Sequence, residues 1–300
     1  MNDTLSPVVY WRMSKLANQV AKQAMDNRGN NEILAVEEGE DILEVHGQAI
    51  RDYQEFSRLI RGAFLFLKKS GCPTSGTAID MGSGTGAGAA ILSKYHFFKK
   101  IYAVEFSEMF VQKIMPVVFN KLEADIPKII RVVGDFNKLK VEDGTIDTIL
   151  DIDSFHHAED LDVTLQECSR VLRSQGVIIA VDRAWPDHFS KEELEAMLDR
   201  ELPDNLKKKY GIPVSQSFTR RDFGEHEYPI HEWLDAFSRN GFDAHVFVQW
   251  HPPGLNRVWL RLPSFDFSIY LSSWLSRIGK RRHRIYGFHE KRVLFVCVKK

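Results

Sequence analysis

Between residues 77 and 182, short apolar runs alternate with segments whose apolar residues recur three and four apart. Residues 77–81, 100–105, 129–133, 145–151 and 176–182 read as strands. Apolar runs this short, bounded by turn residues, fit strands buried on both faces. Between them lie helical segments. One begins at 86–93. One is capped by Ser107 and carries Ile114, Val117, Val118 and Leu122. A third spans 161–172. Strands alternating with helices predict a parallel sheet covered on both faces.

The flanks have a different texture. Ser6-Pro7 resembles an N-cap with proline at the first helical position, and Val8, Val9, Trp11, Leu16 and Val20 give the helix that would follow an apolar face. Asn27-Arg28-Gly29-Asn30-Asn31 predicts a break. A second helix is expected over 48–69, with Ile50, Tyr53, Phe56, Ile60, Phe64 and Leu67 on one face, stopped by Gly71-Cys72-Pro73. After the alternating region, Ser190 to Glu193 form a capping box that opens a charged helix over 190–210. A helix at 229–240 ends at Gly241, strands follow at 242–250 and 292–298, and 251–290 reads as an insertion. The expected organisation is a helical extension (1–75), an α/β core (76–185), a lid insertion (186–228) and a C-terminal part of the core (229–300).

Composition narrows this little. The chain has 300 residues, 44% of them hydrophobic, and a formal net charge of -1. That balance excludes disorder and does not point to nucleic acid. Cys72, Cys168 and Cys297 are far apart, with no metal spacing and no disulfide framework, so a reducing compartment is expected. No run of about 18 apolar residues occurs, and the N-terminus lacks a leader-like pattern. A soluble cytoplasmic protein is the expectation.

The chemistry concentrates in Asp80-Met81-Gly82-Ser83-Gly84-Thr85-Gly86, between a strand and a helix. Glycines there let the backbone turn sharply and approach a ligand. Alone, the loop also fits a dinucleotide fingerprint, since Gly84-x-Gly86-x-x-Ala89 matches its spacing. Asp80 counts against a pyrophosphate and suits a cationic ligand. Glu105 ends the next strand, where a carboxylate can accept from ribose hydroxyls. Asp135 follows the third strand and could accept from an adenine amino group, with Phe136 against the ring. Carboxylates at the carboxyl ends of consecutive strands occupy the rim where such sheets bind ligands.

These residues resemble the class I S-adenosylmethionine-dependent methyltransferases. The resemblance rests on 78–86, on Ala103-Val104-Glu105, on Gly134-Asp135-Phe136, on 149–157 and on 169–176, where Ser174-Gln175 replaces the Pro-Gly of the family's turn. It covers about residues 77–184 and the final strand. It implies a doubly wound, seven-stranded, mostly parallel sheet with the last strand antiparallel. It implies S-adenosyl-L-methionine as cofactor, with Asp80, Gly82, Ser83, Gly84, Thr85 and Gly86 at the methionine part and Glu105 at the ribose. Phe106, Asp135 and Phe136 would border the adenine, and Asp151 and Ile152 the methionine end. A nicotinamide-dependent oxidoreductase using the same loop, or a non-catalytic cofactor-binding module, is the alternative.

The acceptor is less defined. His156 and His157, just past the fourth strand, are the candidate bases for methylation at oxygen, the expected chemistry; each could also only cap the next helix. His188 beside Asp187 is a second candidate. No metal site is expected. Asp151-Ile152-Asp153-Ser154 stands where amino methylases of DNA carry an Asn-Pro-Pro-Tyr-like tetrad, which argues against DNA. A small-molecule, lipid or glycan acceptor remains. Phe267, Tyr270, Leu271, Trp274, Leu275 and Ile278 fall at helical spacing before Lys280-Arg281-Arg282-His283-Arg284. A stripe packed on the sheet is the plainer reading of 267–284, and peripheral contact with the inner face of a membrane is the other.

Overall fold

The computed structural model describes residues 5–13, 19–45, 53–72, 75–187, 189–250, 258–261 and 292–300. Its centre is a sheet of β1 (Val9–Tyr10), β2 (Gly76–Met81), β3 (Phe98–Glu105), β4 (Ile129–Val133), β5 (Ile146–Ile152), β6 (Leu172–Arg183), β7 (Phe242–Trp250), β8 (Val258–Arg261) and β9 (Arg292–Lys299). The order is β1-β4-β3-β2-β5-β6-β9-β7-β8. Strands β1 to β6 pair in parallel. Strand β9 lies antiparallel between β6 and β7. The expected seven strands, with the last in sequence reversed, are therefore present, with β1 and β8 added at the two edges.

The period of two in each strand splits the core into two layers. Ile79, Met81, Ile149, Ile178 and Ala180 face one side. Ala78, Leu150, Val177, Ile179 and Val181 face the other. Helices α6 (Leu161–Val171) and α9 (Ile230–Arg239) close the first side, through Leu165, Cys168, Trp233 and Phe237. Helices α3 (Tyr53–Lys69) and α4 (Ala87–Ser93) close the second, with Phe56, Ile60, Phe64 and Leu67 inward as their spacing predicts. Each such side chain contributes about 1.5–3 kcal/mol of burial.

Three local expectations are corrected. Val9 and Tyr10 form a parallel edge strand on β4, and Trp11, 6% exposed, packs on Tyr102. The guanidinium of Arg131, on β4, donates to the Ser6 carbonyl and pins this segment. Extended pairing at an open sheet edge outweighs the helical start read at Ser6-Pro7.

The polar run 27–31 does not break the chain. It lies inside α1 (Gln19–Glu37). Arg28 pairs with Glu32 one turn on, Asn31 donates to the Lys209 carbonyl, and Gly29 faces Met109 so closely that a Cβ would sit 2.5 Å from its Cγ. Those residues are a docking face, which is why they look like a loop in isolation.

The charged helix 190–210 is two helices, α7 (Lys191–Leu198) and α8 (Asp204–Lys209), separated at Pro203. The capping box of Ser190 and Glu193 is present at the start of α7. Among the described residues no helix is long and apolar enough to cross a membrane. The stripe at 267–284, most of the insertion 251–290 and His188 lie outside the described residues.

Candidate active site

The carboxyl ends of β2, β3, β4, β5 and β6 share one edge of the sheet, and the candidate residues among those described sit at or just beyond it. Loop 82–86 turns through three glycines with φ of 63°, 49° and 84° at Gly82, Gly84 and Gly86. Left-handed backbone favours glycine, but the surroundings differ. A Cβ on Gly82 would lie 2.5 Å from the Ser154 Cβ, and one on Gly86 would lie 2.5 Å from the Phe119 ring. A Cβ on Gly84 would meet nothing within 4 Å. Gly82 and Gly86 are held by the protein. Gly84 faces open space.

Asp80 does not point out at a ligand. It is 2% exposed, and its carboxylate accepts the Ala89 N–H at 2.7 Å. Gly86 offers no side-chain cap to α4, so the preceding strand supplies the acceptor for that first-turn amide. A Cβ on Gly88 would sit 2.4 Å from the same carboxylate, which requires glycine there. Burial, with Glu105 nearby, raises the Asp80 pKa to about 7.

Glu105 links the loop to the second crossover. Its carboxylate accepts from Gly84 N–H and Ser107 N–H, each at 2.9 Å. Burial raises it to about 6 against the opposing effect of those amides. Asp135 accepts from Asn137 N–H at 2.8 Å, and Phe136 is half-buried between Gly82 and Phe155. Phe106 and Ile152 are half-buried at the same edge, while Ser83 and Thr85 are buried within the loop.

The candidate residues at and just past the end of β5 are less exposed than the sequence suggests. Asp151 is fully buried, and its Oδ1 accepts Ser154 N–H at 3.1 Å and Phe155 N–H at 3.0 Å. Ser154 Oγ also reaches the Met81 carbonyl at 2.6 Å, just ahead of the glycine loop. His156 is 1% exposed with both ring nitrogens engaged. Its Nδ1 contacts Asp182 Oδ1 at 2.6 Å, and its Nε2 accepts from the Arg183 guanidinium. Burial, then the Arg183 charge, pushes its pKa well below the usual imidazole range. His157 donates Nδ1–H to the Gly224 carbonyl at 3.1 Å, and burial, then His156, lowers it to about 3.

Four residues escaped the sequence reading. Asp182 and Arg183 break an apolar strand at its carboxyl end, a signal that was available. Glu225 had none. It joins Arg183 at 3.1 Å and Arg220 at 2.6 Å from the loop that follows α8. Burial alone would raise it, but Arg183 and Arg220 hold it at about 2. Trp11, from the chain start, covers Gly134 just past the end of β4. Among the described residues no group of three or more His, Cys, Asp or Glu could hold a metal ion.

Residues 79–180 match the family described as "Methyltransferase domain". The chain is 32% identical over 163 residues to a sarcosine/dimethylglycine N-methyltransferase of Halorhodospira halochloris, covering 54% of this chain and 56% of that protein's length. Two solved structures share the fold. The YcgJ protein of Bacillus subtilis superposes with a TM-score of 0.51 at 15% identity, over 80% of this chain and 98% of its own. The geranyl diphosphate C-methyltransferase of Streptomyces coelicolor, solved with S-adenosyl-L-homocysteine, gives 0.51 at 16% identity, over 86% and 79%.

Proposed function

We propose that this chain, whose residues 79–180 form a class I S-adenosylmethionine-dependent methyltransferase domain, transfers a methyl group to the nitrogen of a small amine. The observation that carries the choice of nitrogen is the state of the two histidines. His156 has no unengaged ring nitrogen, and His157 is held at about 3. A neutral hydroxyl acceptor needs a positioned base of useful strength. An amine brings its own electron pair and loses its proton to water. The tied histidines therefore weigh against the oxygen chemistry expected from the sequence. The likeness to a sarcosine/dimethylglycine N-methyltransferase supports an amine independently.

The residues present fit an adenosyl methyl donor. The open side of Gly84 leaves room for a ligand against the loop backbone. Glu105 has oxygen lone pairs beyond the backbone amides it accepts, which suits ribose hydroxyls. Phe106, Asp135 and Phe136 would border the adenine. The bound donor supplies a methyl group already activated by a positive sulfur. The chain has only to align the nucleophile and exclude water. Lid residues 186–228 would do the second. His157, neutral across the working range, would accept an amine N–H at Nε2 and so orient the nitrogen.

The test is label transfer from S-[methyl-3H]adenosylmethionine to a panel of glycine, sarcosine, dimethylglycine, ethanolamine and amine-free hydroxyl compounds. Label in amines and none in hydroxyl-only compounds is expected. Transfer confined to hydroxyl oxygen would overturn the nitrogen assignment. Absence of S-adenosylhomocysteine binding in calorimetry would overturn the methyltransferase reading itself.

A further inference from the structure

The carboxyl ends of β5 and β6 carry a feature that the proposed reaction does not use. Asp151 and Asp182 are both fully buried and hydrogen-bond to each other. Asp151 Oδ1 takes the Ser154 and Phe155 amides and lies 2.5 Å from the Ser154 hydroxyl, whereas Asp151 Oδ2 is buried with no other donor in reach. Asp182 is surrounded by donors. Its Oδ2 accepts His156 N–H at 3.0 Å, and its Oδ1 accepts His156 Nδ1 at 2.6 Å and the Arg183 amide. Two carboxylate oxygens in contact, neither with another donor between them, require one proton. The placement of the donors puts it on Asp151: every donor about that carboxylate falls on Oδ1 and none on Oδ2, whereas both oxygens of Asp182 are taken.

We propose that one proton, held on Asp151 Oδ2 and donated to Asp182, makes this pair the positioning element of the acceptor side. Asp182, kept as an all-acceptor carboxylate, fixes His156 with its proton on Nδ1. Nε2 is then an acceptor and seats the Arg183 guanidinium, whose other arm meets Glu225. Through Ser154, whose amide donates to Asp151 and whose hydroxyl donates to the Met81 carbonyl, the same pair reaches the base of loop 82–86. A continuous set of hydrogen bonds thus runs from the cofactor loop to the segment after the lid. The proposal depends on the methyltransferase reading only in naming one side the acceptor side.

The surrounding charges are compatible with a single proton. Arg183 extends from β6, while Arg220, Glu225 and His226 come from the lid side. The His157 ring lies tilted against His156, with ring centroids 4.1 Å apart. Cys168 of α6 lies beneath, 3.8 Å from Met81 Sδ. Asp153, beyond the end of β5, is neutralised by Arg292 at 2.6 Å. Asp80, on neighbouring β2, is turned to Ala89 instead. Burial, then Asp182, pushes Asp151 well above the ordinary carboxylate range, in agreement with the geometry.

The test pairs two isosteric changes with opposite expectations. Asp151→Asn keeps a donor toward Asp182. Asp182→Asn places an amide among donors. In an unfolded chain Asp151 is ionised above about pH 4, so native wild type binds one proton more than its unfolded state. Its stability then falls as pH rises, and Asp151→Asn removes that loss. From pH 5.5 to 8.5 the unfolding constant of wild type, relative to Asp151→Asn, is expected to rise about tenfold per unit while the proton is retained. Imidazole 15N spectra should show His156 protonated on Nδ1 in wild type and in Asp151→Asn, and not in a folded Asp182→Asn. A flat stability ratio, an Nε2-protonated His156 in wild type, or loss of the tautomer in Asp151→Asn would overturn the proposal. If Asp182→Asn fails to fold, the wild type and Asp151→Asn arms decide it alone. None of these readouts involves methyl transfer, so the failure of the function proposal would be seen separately.

Discussion

Alanine at Gly84 and at Gly86 separates a glycine required by the ligand from one required by the protein. Both have positive φ, 49° and 84°, so either alanine costs about 1–2 kcal/mol for left-handed backbone. At Gly86 the new methyl would also meet the Phe119 ring at 2.5 and 2.9 Å and Met115 Cγ at 3.2 Å. Phe119 and Met115 are fully buried and have no room to retreat. Overpacking of that kind adds about 1–3 kcal/mol. Gly86→Ala should therefore lose about 2–5 kcal/mol, a large share of a typical domain's stability. At Gly84 nothing lies within 4 Å, and the loss should stop at the backbone cost of about 1–2 kcal/mol. The added methyl at Gly84 would instead occupy the space assigned to the donor. Urea unfolding with unchanged slope gives the stabilities, and calorimetry with S-adenosylhomocysteine gives the affinities. Gly84→Ala should weaken binding at least about tenfold, or about 1.4 kcal/mol. Equal stability losses at the two positions, or unaltered binding in Gly84→Ala, would refute the division.

Asp80 and Glu105, at about 7 and about 6, are partly protonated near neutrality, and a cationic donor favours their ionised forms. Affinity for S-adenosylmethionine should rise from pH 5.5 to 8, with the upper part flattened in Asp80→Asn; calorimetry across that range checks it. His157→Ala should lower kcat/KM for an amine by roughly tenfold, the value of one hydrogen bond, without introducing a new ionisation between pH 5 and 8, because the wild-type ring is already neutral. Gln175 stands in left-handed backbone at φ 63°, where the resembling family carries glycine. Gln175→Gly should stabilise by about 0.5–1 kcal/mol in denaturant titration, the left-handed strain less the glycine entropy. Trp11→Ala, which opens a cavity over Gly134 and Tyr102, should cost about 3 kcal/mol or more and weaken S-adenosylhomocysteine binding, both measurable by thermal shift.

The sequence by itself determined the strand–helix rhythm of 77–182 and the position of the glycine loop, whereas the reversal of the last strand was implied only by the family resemblance. The rhythm and the loop depend on periods of two and three to four residues and on turn glycines, which are local properties. It also placed Glu105 and Asp135 at strand ends, because strand ends are legible where an apolar run stops. The tertiary structure alone decided where each buried polar group finds its partner. Asp80 serves an amide of the following helix. His156 is bound to a carboxylate and a guanidinium on a strand that follows it in sequence. The polar run 27–31 is a helix face docked against the end of α8, and Val9–Tyr10 is a strand because β4 leaves an edge to fill. A buried donor or acceptor must be paired, but its partner can come from anywhere in the chain, and the spacing of residues along the sequence carries no record of that choice.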